Sequence, residues 1–227
     1  MHALHKKLLL LLLLALALLL MASCGGPVPL EKADVGDYVT LGHYEQDNNT
    51  ENGPEPIEWL VLQKNSDAIL VVSRHILDCQ PYHSSQTPVT FSGSSIRSWL
   101  NSDFLNIAFS SEELSQIPIE TALADDNDEY RIDGGKYTAD KIFLLSASEV
   151  DYYLLSDDTV ASPTKYALQQ GVYANKYNHS CWWLRTPGYT KEYASVVLWE
   201  GDAHATGSKV NSQDVGVRPA MWIWLPR

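Results

Sequence analysis

The chain has 227 residues, in which 16 lysines and arginines stand against 28 aspartates and glutamates, so its net charge at pH 7 is −12. So acidic a chain repels nucleic acid and anionic lipid headgroups, and we expect neither as a partner. The length and the 45% share of hydrophobic residues suit one domain with a full core.

The N-terminus carries a predicted lipoprotein signal peptide, residues 1–23. The basic segment His5-Lys6-Lys7 precedes a run of leucine and alanine over 8–20, which is shorter than the roughly 18–20 residues of a membrane-spanning helix. Met21-Ala22-Ser23-Cys24 then resembles a bacterial lipobox, with methionine at the place of the usual leucine. We therefore predict that Cys24 is acylated with palmitate-type chains and becomes the mature N-terminus. An ordinary secretory signal or a short anchor helix is the alternative.

Residues 24–33 are predicted to be a lipidated, flexible tether. They contain Gly25-Gly26 and two prolines and show no periodicity. We expect the protein on the outer face of the cytoplasmic membrane, at the cell surface, with one domain over residues 34–227. Removal of the signal peptide takes away two lysines, and the net charge becomes −14.

Two cysteines, Cys79 and Cys181, remain beyond the predicted lipidation site. An extracytoplasmic location permits disulfides, and we predict a disulfide between them. It would close a loop of about a hundred residues, which stabilises a fold by on the order of 4 kcal/mol in the chain-entropy model. Two buried free thiols are the alternative.

The first half of the domain predicts three strands and two helices from its apolar patterns and its capping residues. The strands span 37–42, 57–62 and 68–73, and the helices begin at Ser94 or Ser95 and at Ser110 or Ser111. Asn65-Ser66-Asp67 predicts a hairpin turn before the third strand. Asn101-Ser102-Asp103 predicts a break in the first helix.

The second half predicts a strand, then two more helices, and only strands from Trp182 onward. A capping box at Ser146 and Glu149 begins one helix, and Ser162-Pro163 begins the other, which ends at Gly171. The predicted strands are 141–145, 194–199, a polar return strand after a Gly201-Asp202 turn, and 215–225.

Two aromatic segments, 181–188 and 216–225, hold four of the seven tryptophans and one arginine each. Such dense aromatic and aliphatic residues are typical of a buried sheet. The predicted structural core includes Trp99, Trp183, Arg185, Arg218 and Trp222. The two arginines are either buried groups satisfied by carbonyls or a carboxylate, or anchors for an anionic ligand.

Four spaced segments carry a resemblance to a known family. They are 95–101 (SIRSWLN), 143–146 (FLLS), 183–188 (WLRTPG) and 216–220 (GVRPA). Over about residues 36–225 the chain resembles bacterial surface domains of Gram-positive lipoproteins and cell-wall proteins that are known only as a domain of unknown function (DUF6273-like). That family resembles, more distantly, the C-type-lectin-like fold with its formylglycine-generating-enzyme branch. The resemblance implies one α+β domain of C-type-lectin-like fold, a mostly antiparallel twisted sheet with a few short helices, and no established activity.

The sequence contains none of the common catalytic or metal-binding patterns. We find no nucleophile elbow, phosphate-binding glycine loop, His-Glu-x-x-His or Cys-x-x-Cys. The histidines after the signal peptide are isolated, so we predict loop or surface positions and no metal site for His43, His75, His83, His179 and His204.

An acidic segment, residues 125–133, offers oxygens of the kind that Ca²⁺ takes. The candidate ligands are Asp125, Asp126, Asn127, Asp128 and Asp133. Tyr130 stands where an EF-hand loop needs glycine, and the Glu-Pro-Asn and Trp-Asn-Asp patterns of calcium-dependent lectins are absent. A solvated charged loop without a cofactor is therefore the favoured interpretation.

The leading functional hypothesis is non-catalytic binding of a carbohydrate, a peptide or an envelope protein by a membrane-tethered lipoprotein. The predicted ligand-binding residues lie on the hairpin after the 194–199 strand and are Trp199, Glu200, Asp202 and His204. The alternative for this hairpin is an ordinary turn. Two other functions stay open: an envelope enzyme of the sulfatase-modifying type, which the wide spacing of the two cysteines disfavours, and a structural accessory lipoprotein.

Overall fold

The computed structural model describes residues 26–226, which form an α+β domain of short strands and short helices. The predicted signal peptide and Cys24 lie outside the described residues. The strands, in chain order, are β1 (Tyr38–Tyr44), β2 (Glu55–Lys64), β3 (Ala68–Ser73), β4 (Asp78–Cys79), β5 (Glu120–Ala122), β6 (Thr138–Asp140), β7 (Ile142–Phe143), β8 (Trp182–Pro187), β9 (Tyr193–Val197), β10 (Ala203–Lys209), β11 (Gly216–Val217) and β12 (Ala220–Trp224).

The helices are all shorter than eight residues. They are α1 (Ser95–Trp99), α2 (Leu105–Ala108), α3 (Ser111–Leu114), α4 (Ala147–Tyr153), α5 (Ser156–Thr159) and α6 (Lys165–Gln170), with 3₁₀ turns at Leu30–Lys32 and Phe91–Gly93. Within residues 26–226 no helix combines the length and the apolar character that crossing a bilayer requires.

Two five-stranded sheets share one hydrophobic core. The first sheet has the order β1-β2-β3-β12-β7, and its neighbours are all antiparallel. The second has the order β10-β9-β8-β11-β4, in which β11 lies parallel to β8. Trp59 from the first sheet and Trp182 and Trp183 from the second are fully buried. A short third sheet pairs β5 with β6.

The chain crosses between the two sheets at Arg218-Pro219, where the sequence predicts one strand over 215–225. β11 ends at Val217 in the second sheet, and β12 begins at Ala220 in the first. Proline has no N–H to donate to a ladder, so the strand divides there. Arg218 is buried at the crossing and donates to the carbonyls of Ser73 (2.9 Å) and Asp158 (2.7 Å).

The first helical region has no break at Asn101-Ser102-Asp103, contrary to the prediction. A wide π-type turn, Leu100–Phe104, joins α1 to α2. Asn101 makes this continuity favourable because its amide donates to the carbonyls of Arg97 (3.1 Å) and Ile142 (2.8 Å), while its Oδ1 accepts from the backbone of Lys141 (2.9 Å). Asn101, a residue type that is common in turns, therefore joins this helical region to β7 by a hydrogen bond.

The helix predicted from Ser162-Pro163 begins later, as α6 at Lys165. Thr164 is its N-cap and accepts from the Ala167 N–H at 3.0 Å. The Ser162 carbonyl instead accepts from the backbone N–H of Ile76 at 3.1 Å, so this dipeptide is extended. Gly171 ends the helix with a φ of 122°.

The residues from Val28 to Ala33, predicted as part of a flexible tether, pack against the domain. The Val28 N–H donates to the Tyr38 carbonyl at 2.7 Å, and Ala33 is fully buried. The Lys64 ammonium holds this segment by donating to the Ala33 carbonyl at 2.6 Å and to the carboxylate of Asp34 at 2.9 Å. Proline and glycine content alone does not show such anchoring.

The predicted disulfide between Cys79 and Cys181 does not form in this structure, where both are free thiols. Gly216 of β11 pairs with Cys79 on one side and with Trp182, next to Cys181, on the other. The two cysteines thus lie on opposite sides of β11, and their backbones are two strand spacings apart, roughly 9–10 Å. A disulfide requires the two Cα atoms to lie within ~7 Å of each other. The Cys79 thiol instead lies 3.1 Å from the Gln213 carbonyl, to which it donates.

Candidate functional site

An open cleft of about 710 Å³ lies where the acidic segment, the start of α4 and the β9–β10 hairpin meet. One wall is formed by residues 123–129 and the other by 203–205. Thr186, Ser195 and Ala147 also line it. Two segments that the sequence presents separately, the acidic segment and the hairpin, thus share one depression.

The acidic wall is fastened to the second sheet by a buried amide. Asn127 is 3% exposed, and its Nδ2 donates to the carbonyls of Pro187 and Ala205, at 2.8 Å each. Its Oδ1 accepts from the Tyr130 N–H at 3.3 Å. Because the Ala205 carbonyl belongs to the edge strand β10, this contact also covers part of a sheet edge.

An ion pair between a buried arginine and a partly exposed glutamate lies beneath the cleft. Arg185 is 4% exposed and donates to both carboxylate oxygens of Glu149, at 2.6 and 2.5 Å. Its Nε and Nη1 also donate to the carbonyls of Leu123 and Leu144, respectively, both at 2.6 Å. Glu149 also accepts from the Ser146 N–H at 2.9 Å in the capping box of α4. One carboxylate thus joins the arginine of β8 to the first turn of α4, and the arginine holds the start of the acidic wall.

Four titratable side chains of the cleft are free to meet a ligand. Asp128, Glu129, Asp151 and His204 are exposed, and within residues 26–226 their side chains form no hydrogen bond or ion pair with the protein. No lysine or arginine of the described chain lines this cleft. The cleft therefore presents carboxylates without a compensating protein cation.

The other acidic side chains of the segment have structural partners. Asp125 accepts from Ser148, Asp126 from the Gly134 N–H (2.8 Å), and Asp133 from the Gly135 N–H (2.8 Å). The side chain of Asp133 also lies 3.5 Å from the ammonium of Lys191, and both contacts lower the pKa of this carboxyl.

These contacts bear on the calcium hypothesis. Within residues 26–226, the three carboxylates whose oxygens approach one another within 4.8 Å are instead Glu45, Asp47 and Glu55, far from this segment in the chain. Backbone N–H groups bind oxygens of all three of these side chains. The acidic segment therefore does not gather its oxygens around one point.

The four residues predicted on the hairpin do not converge on one depression. His204 lines the acidic cleft, and Asp202 lines a smaller depression of about 250 Å³ next to it. Trp199 and Glu200 line a third depression of about 530 Å³, and Glu200 also borders the second. The hairpin runs along all three depressions.

The described residues form no nucleophilic dyad in the cleft. A serine–histidine contact does occur between Ser95, the first residue of α1, and His83 in the segment before it, at 3.0 Å, but both residues lie outside all three depressions. The two thiols are also unsuited to nucleophilic chemistry. Burial raises the pKa of Cys79 to about 12 and raises that of Cys181, and only a thiolate is strongly nucleophilic.

Sequence reasoning missed the contribution of α4 to the cleft. Asp151 borders both the acidic cleft and the middle depression, and Ser148 binds Asp125 across the cleft. The capping box at Ser146 does predict where α4 begins. The sequence places β6 and β7 between the acidic segment and this helix start, and it does not indicate which elements pack against the helix.

Comparison with known proteins identifies a family without an assigned activity. The family model described as "Domain of unknown function (DUF6273)" matches residues 65–225, which is more than half of the chain. No curated protein and no solved structure matches the chain. The matched range contains β3 to β12 and all three depressions.

Proposed function

We propose that this chain, which belongs to the DUF6273 family of domains of unknown function, is a non-catalytic binding domain held at the cell surface. The observation that carries the proposal is the acidic cleft, whose walls are fixed by buried contacts while its outer carboxylates are free. Fixed walls reduce the ordering cost of binding, and free polar groups supply specificity.

The chemistry of the cleft favours a neutral or cationic ligand with many hydrogen-bond donors. Asp128, Glu129 and Asp151 can accept hydrogen bonds from hydroxyl, amide or ammonium groups. A ligand rich in phosphate or carboxylate would meet like charge without a lysine or arginine among the lining residues of the described chain. Glycan strands and stem peptides of a bacterial cell wall have the required donors.

The location and the deeper fold relationship belong to the same proposal. A lipid on Cys24 would hold the domain on the outer face of the cytoplasmic membrane, and the lipobox-like segment supports this. A C-type-lectin-like relationship is supported by the tryptophan-rich β8 lying parallel to β11, which leads through Arg218-Pro219 into β12.

The test is binding of cell-wall fragments to the full-length protein in detergent. The double variant Asp128→Asn, Asp151→Asn should weaken binding at least tenfold, since hydrogen bonds to charged groups contribute about 1.5–3 kcal/mol each. Asp103→Asn, an exposed carboxylate outside the cleft, is the matched control. Raising the salt concentration separates a cationic ligand, whose binding weakens, from a neutral one. Unchanged affinity in a folded double variant would exclude the cleft as the binding site.

A further inference from the structure

The third depression, at the far end of the hairpin, is rich in exposed aromatic side chains. Tyr177 is 66% exposed and Trp199 is 36% exposed, and both line it. Tyr173, 59% exposed, stands edge to face with Trp199 at 6.2 Å between ring centroids. Large aromatic side chains gain free energy by burial, so several of them exposed side by side mark a surface that another molecule covers.

The aromatic side chains are presented by a fixed backbone. Asn175 closes the loop that carries Tyr177: its Oδ1 accepts from the N–H groups of Tyr177 (2.9 Å) and His179 (3.0 Å). The Asn175 N–H donates to the His179 carbonyl at 2.9 Å, and Asn178 adopts a φ of 61° to complete the turn. On the other side, the indole N–H of Trp199 donates to the carboxylate of Glu200. The backbone that carries Tyr177 is therefore fixed by its own turn, and the indole of Trp199 has a hydrogen-bond partner within the protein.

The polar groups around the rings indicate the chemistry of the occupant. Lys176 and Glu200 bring opposite charges to the same depression, and His179 adds an imidazole. An alkyl chain would desolvate these charges without replacing their hydrogen bonds. A sugar ring matches both features, because its C–H face packs on an aromatic ring while its hydroxyls bond to charged and planar groups at the rim.

The three depressions form a series along the hairpin. The aromatic depression and the middle one share Glu200, and the middle one and the acidic cleft share Asp151 and Ala203. At Gly201 the hairpin turn packs closely on Thr159 of α5, since a Cβ built on this glycine would lie 2.4 Å from the Thr159 hydroxyl oxygen. A ligand that follows this path is a chain with more than one unit.

We propose that the aromatic depression of Tyr177 and Trp199 is a subsite for one ring of a neutral oligosaccharide, which continues over the hairpin turn into the acidic cleft. This assignment rests on the proposed function and names the ligand class for it. It predicts that affinity increases with the number of sugar units until the three depressions are filled. It also predicts that single sugars bind far more weakly than oligomers.

The experiment titrates the full-length protein in detergent with β-linked oligomers of glucose and of N-acetylglucosamine, one to six units long. We expect affinity to rise with length, and we expect Tyr177→Ala and Trp199→Ala each to reduce it at least tenfold. Tyr137→Ala removes an equally exposed tyrosine (68%) outside the depression and should change nothing. Trp199→Phe, which keeps an aromatic ring, should retain most of the affinity and guards against a folding defect.

Several results would overturn the assignment. One is failure of every oligomer to bind at millimolar concentration. Another is full affinity in a folded Tyr177→Ala variant. Binding of stem peptides alone, weakened by the Asp128 and Asp151 changes and not by the Tyr177 change, would reject the sugar subsite while leaving the binding function in place.

Discussion

At the scale of single residues, the most unusual group is a carboxylate buried without a cation. Asp78 is 2% exposed, and its hydrogen bonds come from the Tyr44 hydroxyl, the Cys79 N–H (2.6 Å) and the Gln80 amide (3.3 Å). Burial raises the pKa of Asp78, although these donors oppose the rise. In the folded protein the neutral form is thus favoured relative to the unfolded chain.

Asp78→Asn should therefore stabilise the protein at neutral pH. The asparagine oxygen can still accept from Cys79, and its amide can donate to the Tyr44 hydroxyl, so the network survives without a desolvated charge. We expect the melting temperature to rise by about 2–4 °C, because a gain of about 1 kcal/mol in the free energy of unfolding has this effect in a chain of this size. Asp103→Asn, at an exposed site, controls for the loss of one negative charge.

The pH dependence provides a second check on Asp78. Burial raises the folded pKa of Asp78 above its unfolded value of about 3.9. The free-energy cost of burying the negative charge is therefore absent below the unfolded pKa, and it grows as the pH rises towards the folded pKa. The stability difference between Asp78→Asn and the wild type should thus increase from pH 4 upward and then level off. A difference that shrinks with rising pH would show that the buried charge is stabilising.

The second residue-scale prediction compares two capping glutamates. Glu149 and Glu113 both complete Ser-x-x-Glu boxes, but only Glu149 also binds a buried arginine, Arg185. Glutamine also completes a capping box, so Glu113→Gln should cost little. Glu149→Gln leaves the buried Arg185 without its charged partner, and removing one partner of a buried ion pair costs up to about 3–5 kcal/mol. Chemical denaturation of Glu149→Gln and Glu113→Gln should show the larger loss for Glu149→Gln. Equal losses would mean that the arginine pair contributes little.

At the scale of elements, local signals in the sequence predict much of the secondary structure. The apolar segment at 68–73 is β3 with the same bounds, and the serine–glutamate boxes mark the starts of α3 and α4. Such signals depend on neighbours in the chain. The continuity of the helix past Asn101 depends on the distant carbonyl of Ile142, so a local pattern does not show it. Pro219, by contrast, is a local signal for the division of the last strand, and the prediction of one strand over 215–225 did not take it into account.

The candidate site was harder to predict for the same reason. The sequence predicts Trp199 and Glu200 of the hairpin as ligand-binding residues, and both line the aromatic depression, but their neighbour Tyr177 comes from a loop before β8. The acidic wall reaches its place through Asn127, whose amide binds two strands that lie far along the chain. Composition identified the polar segments, whereas long-range hydrogen bonds decide which of them meet.

The element-scale prediction concerns the bulge in β10. The β9–β10 register shifts between His204 and Ser208, and Gly207 has a φ of 73°. A Cβ built on Gly207 would lie 2.1 Å from the Ala194 carbonyl oxygen, so Gly207→Ala must displace the backbone of β9 or β10. We expect a loss of roughly 2 kcal/mol or more.

Thermal melting of two alanine variants tests the prediction for the bulge. Gly93→Ala is the control, since the nearest atom to its added Cβ lies 3.6 Å away. Because the bulge carries the Ala205 carbonyl that Asn127 binds, the Gly207 change should also weaken ligand binding in the cleft. Equal melting temperatures for the two variants would show that the bulge adapts without strain.

At the scale of the whole molecule, a short connection joins the domain to the predicted lipid. The segment from Val28 onward packs on the domain, and four residues from Cys24 to Val28 reach at most about 14 Å. A lipidated protein would therefore keep its domain close to the membrane surface. The excess of acidic residues repels anionic headgroups, so attachment should depend on the lipid and not on the domain surface.

Cys24→Ala should accordingly move the protein out of the membrane fraction. Without the thiol no acyl chain can be attached, and the −12 chain has no large positive charge to bind lipid in its place. Fractionation of cells with detection in membranes and medium, together with incorporation of labelled palmitate, measures both steps. Cys181→Ala, which removes a thiol of the folded domain, should keep both the label and the membrane location. If Cys24→Ala remained in the membrane after removal of residues 1–23, some other surface of the chain would have to bind the bilayer.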